Sequence, residues 1–431
     1  MTAVNLARVR WRIGQVLTPP HFRALEASLS AESFVHGAVA GLPAYGLGRL
    51  VWNGAAPKGS LTVSGVTWVT EDGVLLDAPA NARIVGPLDL EAVKRPEVDV
   101  YLHAIAEVSD DELSVAEPAA PRTIPRVMRR LQLSADWQVE GSEARVLLAR
   151  MKKQADKTWA LSGDVIPPLL SVGATPYLTA PLRELRQSLA DLDVRLRYRL
   201  LDLHARHKPV RAVQRARIEA RKLDASLSDL ESGVGLHPYV VYSWLRAFWL
   251  ELYLRSETVP DDVIPAASIP PYAHDELADC FKAVLDGITE RIHREPISPP
   301  TETRPFRLVG NQLMTDKLPD EAIVASELYL LIQKPSADAV VSIEGVRLAT
   351  PERLAYVTQH SIGVEPTRVK ESELVAAFGP WIDFYVLNRS DANPEWLEIK
   401  NKRAIAFYLQ DRFKGVEAAL YWRRAPGSTG T

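Results

Sequence analysis

Residues 178–196 read Leu178-Thr-Ala-Pro-Leu182-Arg-Glu-Leu185-Arg-Gln-Ser-Leu189-Ala-Asp-Leu192-Asp-Val-Arg-Leu196, which places leucine at steps of four, three, four, three and four. That alternation is the apolar seam of a long helix with a heptad repeat. A second seam follows through Val213, Ala216, Ala220, Leu223, Leu227 and Leu230, and it stops at Gly233 and Gly235, residues suited to a helix C-terminus. His237-Pro238 opens a third helix that continues through Tyr253. Tyr272 to Ile292 supplies a fourth, after a loop over Pro265 to Pro271. Four helices in succession predict a four-helix bundle, which we place at 171–298.

Upstream the period changes from helical to alternating. LGRLVWN, SLTVSGVTWVTEDGVLLDA, ARIVG, VDVYLHAIAEV and ARVLLARMKK read as short strands separated by Gly, Pro, Asn and Asp clusters. Leu61, Val63, Val66, Trp68 and Val74 alternate with Ser and Thr, and Asp72-Gly73 reads as a two-residue hairpin turn. Residues 1–170 are therefore expected to form a β-sandwich-like domain. One helix interrupts it, from Pro20 to about Ala40 behind Thr18-Pro19-Pro20. Its Phe22, Leu25, Leu29 and Ser33 recur at helical spacing, so it is expected to lie against the sheet.

Downstream, Glu295 to Pro305 carries Pro296, Pro299, Pro300 and Pro305, a semi-rigid spacer by composition. A small α+β domain is expected at 305–425, with strands ELYLLIQ, DFYVLN and IAFYLQ and helices at Pro351 to Gln359 and Glu371 to Ala377. Trp381, Phe384 and Tyr385 are its conspicuous aromatics, and packing is their expected use. Residues 426–431 read as a disordered tail. The expected fold class is thus α+β and multidomain, with a β shell, a helical neck and a small head.

The 431 residues are 47% hydrophobic and 24% charged, with 51 Lys and Arg against 54 Asp and Glu for a net charge of -3. This balance is ordinary for a globular protein and draws it neither to nucleic acid nor to anionic lipid. A single cysteine, Cys280, excludes an intramolecular disulfide and a cysteine-rich zinc site. The N-terminus intersperses Arg8, Arg10 and Arg12 among apolar residues, unlike a secretory signal. The most apolar later stretch, Tyr239 to Leu254, is broken by Arg246 and Glu251 and reads as a core helix rather than a membrane span. A cytoplasmic protein without membrane insertion is expected.

No nucleophile elbow, Walker loop, His-Glu-x-x-His helix or dinucleotide fingerprint occurs. Asp202, His204 and His207 have partial metal-ligand spacing, but a solvated helix end explains them better. Ten Lys or Arg against Asp202 and Glu219 between Arg195 and Lys222 could meet phosphates, yet they sit mostly off the seam, as a solvated helix face would. Cys280 fits the apolar rhythm of Leu277, Phe281 and Val284. His274-Asp275 reads as a helix cap, and Trp52, Trp68, Trp137 and Trp159 as core or interface packing. No catalytic, cofactor-binding or metal-binding residue is assigned, and no cofactor is expected.

The segment Trp11-Arg-Ile-Gly14-Gln-Val-Leu17-Thr-Pro19-Pro-His21-Phe22 resembles the opening of the TssK (ImpJ/VasE) family of type VI secretion baseplate components. Trp11, Gly14, Leu17, Pro19, His21 and Phe22 match that opening. Ile13, Gln15 and Pro20 stand where the family has Glu, Met and Gln. The resemblance continues through GVTWVTEDGVLLDAP, Ile166 to Pro176, Tyr272 to Phe281, and Trp396-Leu-Glu-Ile before IAFYL, in the family's order and across nearly the whole chain. It implies a homotrimeric, phage-receptor-binding-like adaptor whose shell joins a wedge of TssF, TssG and TssE, using the six matched residues. Its head would meet the inner-membrane proteins TssJ, TssL and TssM at the membrane's cytoplasmic face. The competing readings are an enzyme of unrecognised class, with a pocket between shell and bundle and His21, His103 or His360 as acid-base groups, and a phage receptor-binding-like protein with an extracellular target.

Overall fold

A computed structural model describes residues 6–39, 41–53, 59–108, 128–254, 269–295, 301–335, 339, 341, 343, 345–369, 378, 382–408 and 416–424. The fold is mixed α+β, with eight helices and seventeen strands among the described residues. The chain divides into two compact units: Met1–Ser188 with Lys222–Arg291, and Leu189–Arg221 with Ile292–Thr431. The division falls inside helices, not at a linker.

In the first unit, α1 (Pro19–Val39) precedes three sheets. One is antiparallel in the order β1-β3-β4, from β1 (Gly46–Trp52), β3 (Val63–Val69) and β4 (Leu75–Ala78). A small ladder pairs β2 (Ser60–Leu61) with β6 (Leu88–Asp89). The third runs β10-β9-β7-β8-β5, from β5 (Ala82–Val85), β7 (Glu97–Val108), β8 (Met128–Ser134), β9 (Ser142–Lys153) and β10 (Trp159–Leu161). Only β5 and β8 pair in parallel there.

Leu61, Val63, Val66 and Trp68 are all buried, as their alternation predicts. The step of three from Val63 to Val66 has a cause in the ladder. Val51 faces Gly65 while Trp52 faces Val63, so Ser64 is an extra residue that restores the inward phase. The hairpin turn differs from expectation. Gly73 N–H donates to Thr70 O and Thr70 N–H to Val74 O, which makes a three-residue loop over Glu71, Asp72 and Gly73. Gly73 takes φ +87°, and the Thr70 hydroxyl bonds the Asp72 carboxylate while accepting from Val74 N–H at 2.9 Å. Asp72 is thus spent on anchoring the loop, and Val74 emerges exposed.

The four long helices are α2 (Thr179–Ala205), α3 (Arg211–Glu231), α4 (Pro238–Leu254) and α5 (Leu277–Arg294). Every residue of both predicted seams is buried within this one chain. Each such leucine contributes about 2 kcal/mol. In the first unit Arg186 pairs with Asp224 and Glu231, and in the second Asp193 takes both Arg217 (2.7 Å) and Arg221 (3.0 Å). Part of the basic run is therefore consumed in cross-links between α2 and α3. Between α4 and α5, Tyr242 meets Phe281 edge-on at 5.6 Å, and a Cβ at Gly287 would stand 2.2 Å from the Trp249 indole nitrogen. The indole occupies the space a side chain would need, which explains a helix-interior glycine that otherwise costs about 1 kcal/mol.

The second unit holds an antiparallel sheet in the order β14-β15-β13-β17-β11-β12-β16. Its strands are β11 (Thr303–Val309), β12 (Gln312–Thr315), β13 (Glu327–Gln333), β14 (Pro366–Val369), β15 (Ile382–Leu387), β16 (Ala406–Tyr408) and β17 (Glu417–Arg423). Three short helices accompany them: α6 (Asp320–Ile323), α7 (Leu354–His360) and α8 (Pro394–Lys402). Asn393 caps α8 by accepting from Glu395 N–H at 2.9 Å, with Pro394 at the first turn. Phe384 and Tyr385 are buried, as expected of packing residues. Trp381, the helix expected at Glu371–Ala377, most of the Pro265–Pro271 loop, residues 296–300 and the tail at 426–431 lie outside the described residues.

His204 corrects the reading of a solvated helix end. It is buried, with Nδ1 hydrogen-bonded to the Tyr421 hydroxyl at 2.7 Å, because strand β17 covers the last turn of α2. His207 turns instead to the carbonyl of Arg424 at 3.0 Å. Among the described residues no group of three His, Cys, Asp or Glu could hold a metal ion, and no helix is long and apolar enough to cross a membrane.

Candidate functional site

The six matched residues lie together on a short arm formed by residues 11–22. Gln15 N–H donates to Arg12 O at 3.1 Å, closing a turn in which Gly14 takes φ +79°. A side chain is disfavoured at that backbone conformation. α1 then opens on Pro19, whose missing N–H would have had no helical partner. The Gln15 side chain accepts from Arg12 N–H (3.1 Å) and therefore presents its amide N–H to His21 Nε2 at 2.6 Å. On the other side of the ring, the Thr18 backbone nitrogen and hydroxyl stand 3.2 Å and 2.8 Å from His21 Nδ1. Gln15, which departs from the family pattern, is what ties the turn to the helix here.

The Trp11 ring sits 6.0 Å from His21 and 6.3 Å from Phe22. Trp11, Ile13, Val16, Leu17, Phe22 and Leu29 are all exposed, Ile13 completely. The face of α1 that carries Phe22 and Leu29 is thus turned outward. On the other side of α1, Ser28 is buried and the Phe34 ring lies 2.3 Å from where a Cβ on Gly73 would be. Those contacts leave the opposite face, with the arm, as an apolar surface of the kind that marks protein contact sites.

The segment between α1 and β1 is fastened by two stacked imidazoles. His237 Nε2–H donates to Pro43 O (3.1 Å) and His274 Nε2–H to Tyr45 O (2.9 Å), with the rings 5.5 Å apart and 10° from parallel. Tyr239 N–H and the Tyr272 hydroxyl donate to the two Nδ1 atoms. Asp275, expected as a helix cap, instead accepts from the Tyr45 hydroxyl at 2.8 Å, because the preceding loop turns it toward β1 and α5 begins only at Leu277.

This arrangement fits neutral rings only. Burial pushes both pKa values below the ordinary histidine value, and His274 lowers that of His237 further. The unfolded chain then binds more protons than the folded one below about pH 6.5. Stability is full above that value and is lost as pH falls through it. Urea midpoints at pH 7.5 and 5.5 should show this loss, and His274→Gln should reduce it. Asp164 and Asp193, held at about 2 by Lys152 and by the two arginines, act only at lower pH. A loss of equal size in His274→Gln would discard the clamp as its source.

Of the three histidines of the enzyme reading, His21 and His103 belong to the first unit and His360 to the second. His103 is fully buried, donating from Nε2 to Asp136 O and accepting from Ser142, both at 3.0 Å. His360 ends α7 in the second unit, over Tyr356 at 4.3 Å. A groove of about 670 Å³ in the first unit is lined by Tyr45, Trp68, Glu71, Trp137, Arg145 and Asp275, and by none of the three. Cys280 is buried as expected, and burial raises its thiol pKa. Of the four tryptophans, Trp68 and Trp159 are core, while Trp137 is exposed beneath the Arg145 guanidinium at 3.5 Å.

Taken with the fold, the exposed apolar residues between Trp11 and Phe22 are of the kind that mark protein contact sites. Residues 106–422 match the model of the bacterial type VI secretion family described by VC_A0110, EvfL, ImpJ and VasE, and the chain belongs to that family. It is 23% identical over 460 aligned residues to the type VI secretion system baseplate component TssK1 of Pseudomonas aeruginosa, spanning 96% of this chain and 98% of that one. A crystal structure of TssK shares the fold over 98% of this chain and 100% of its own, at 17% identity and a TM-score of 0.51. A chain in a cryo-electron microscopy structure of a TssK-TssF-TssG baseplate subcomplex matches over 67% of this chain and 99% of its own, at 21% identity and a TM-score of 0.53. The resemblance to TssK drawn from Trp11 to Phe22 and the later segments is borne out, and the family is one of structural baseplate components rather than enzymes.

Proposed function

We propose that this chain is the adaptor of a type VI secretion baseplate, and that Trp11, Gly14, Leu17, Pro19, His21 and Phe22 form its wedge-binding site. The observation that carries this reading is the arm itself, which holds Trp11, Leu17 and Phe22 exposed on a hydrogen-bonded turn rather than in a core. Rigid, partly buried aromatics are what dominate binding energy at protein interfaces. The partners would be TssF and TssG, as in the TssK-TssF-TssG subcomplex of the relative, together with TssE. The architecture we propose is a shell at 1–170, a neck at 171–298 and a head at 305–425, assembled as a homotrimer. The head would engage TssJ, TssL and TssM, which would station the protein on the cytoplasmic side of the inner membrane.

The test is binding of the full chain to a purified TssF–TssG complex. Trp11→Ala with Phe22→Ala should weaken it by at least thirtyfold, the effect of losing a pair worth about 2 kcal/mol. The thermal midpoint should not move, since both side chains are exposed. Unchanged affinity in the folded double variant would remove the arm from the interface.

A further inference from the structure

The second unit contains a groove of about 530 Å³, within the roughly 300–1,000 Å³ of ligand clefts. Its walls are apolar, with Phe306, Leu308, Leu331, Ile382 and Ala418 among them. Arg197 of α2 lies on the same wall, its guanidinium 6.0 Å from the Phe378 ring.

Arg197 is half-buried, its Nε is sealed from solvent without a hydrogen-bond partner, and no ion pair joins it among the described residues. The reason is visible one turn back on the helix. Asp193, at the i−4 position that would normally serve it, has both oxygens taken by Arg217 and Arg221 from α3. Glu417, the groove's one carboxylate, makes no pair with it either. Burial, then the nearby Arg217 charge, holds the Arg197 pKa below the ordinary arginine value, the mark of a cation kept from water with too little negative charge around it. A desolvated guanidinium is costly unless a carboxylate answers it, ideally through two parallel hydrogen bonds.

We infer that this groove docks a short segment of a partner protein in which one aspartate or glutamate is flanked by leucine-class residues, the carboxylate pairing with Arg197 and the apolar side chains covering the groove walls. The site is distinct from the N-terminal arm and does not depend on how the arm is used. Neither a nucleic acid nor a lipid surface fits it, since one cation in an apolar trough offers a single carboxylate its partner and a phosphate backbone almost nothing.

The probe is a pool of peptides with a central glutamate between randomised Leu, Ile, Val and Phe positions, alongside the same pool with central glutamine or lysine. Retention is measured on the immobilised full chain. The glutamate pool should be held at least tenfold better than the glutamine pool. Arg197→Met should abolish that preference, and Arg197→Glu should transfer it to the lysine pool. Leu308→Glu, at an exposed groove position, should lose the glutamate pool with the fold intact. Arg197→Met should also keep or raise the thermal midpoint, because it removes an unanswered cation. Equal retention of the glutamate and glutamine pools, retention of neither, or a preference that survives Arg197→Met would overturn the assignment.

Discussion

Arg424→Met is expected to lower the unfolding free energy of the second unit by about 3–5 kcal/mol, the range for stripping one partner from a buried ion pair. Arg424 reaches Glu302 with Nε at 2.8 Å and a second nitrogen at 2.5 Å, and the two side chains are 17% and 2% exposed. Glu302 is also fixed by its backbone, since its carbonyl accepts from Trp422 N–H at 3.1 Å. The carboxylate therefore cannot swing to water when its partner is removed. Methionine fills most of the arginine stem, so packing is retained and the charge alone is lost. Glu302→Gln combined with Arg424→Met should recover most of the deficit, because a neutral amide costs far less to bury. Urea unfolding followed by tryptophan fluorescence reads both variants. A deficit under about 1 kcal/mol in the single variant would mean that the pair behaves as a surface contact.

The pair also shows which parts of this protein are legible in its sequence. Heptad spacing located all twelve buried seam positions, because a helix that must bury one face repeats its apolar residues at a fixed period. ELYLLIQ coincides with β13 for the same kind of reason, its run of apolar residues being covered on both faces. By contrast β8, Met128–Ser134, carries Arg129 and Arg130 at its start and pairs in parallel with β5, a partner more than forty residues away. Nothing local announces such a strand. Residues 417–423, as β17, join β13 to β11 at the far end of the chain, and that long-range pairing is what buries His204 and sets Arg424 beside Glu302.

The candidate site was legible in a different sense. Trp11, Gly14, Leu17, Pro19, His21 and Phe22 stood out by resemblance, whereas their exposure did not. Phe22, Leu25 and Leu29 have the spacing of a buried face, and only the structure shows Phe22 and Leu29 turned outward. Periodicity reports that a helix is amphipathic and is silent on whether a fold or a partner covers the apolar face. Nor did it reveal the histidine clamp ahead of β1, because His237, His274, Pro43 and Tyr45 meet only through tertiary structure. A Gln at position 15 was a departure from the family pattern, and the turn it closes onto His21 gives that departure a physical role.

Gly46→Ala should produce the largest effect in the first unit, a loss of about 3–5 kcal/mol that combines backbone strain of roughly 1–3 with overpacking of similar size. Gly46 takes φ +120°, a conformation unsuited to any residue with a Cβ. Space is refused as well as conformation. An added Cβ would lie 2.4 Å from Pro168 O and 2.9 Å from Leu169 N, backbone atoms that cannot rotate away. They cannot shift freely either, because Leu47 N–H donates to Pro168 O and Leu170 N–H to Leu47 O, both at 2.8 Å, and Leu47 and Leu169 are wholly buried. This is the point at which the chain leaving the His237–His274 clamp enters β1 and is stitched to the Ile166–Pro176 segment. The variant should therefore lose stability and wedge binding together, whereas Trp11→Ala with Phe22→Ala should lose binding alone. Should Gly46→Ala unfold within about 1 kcal/mol of the parent, the close approach of β1 to Pro168 would contribute little to stability, and the arm would have to be positioned by α1 alone.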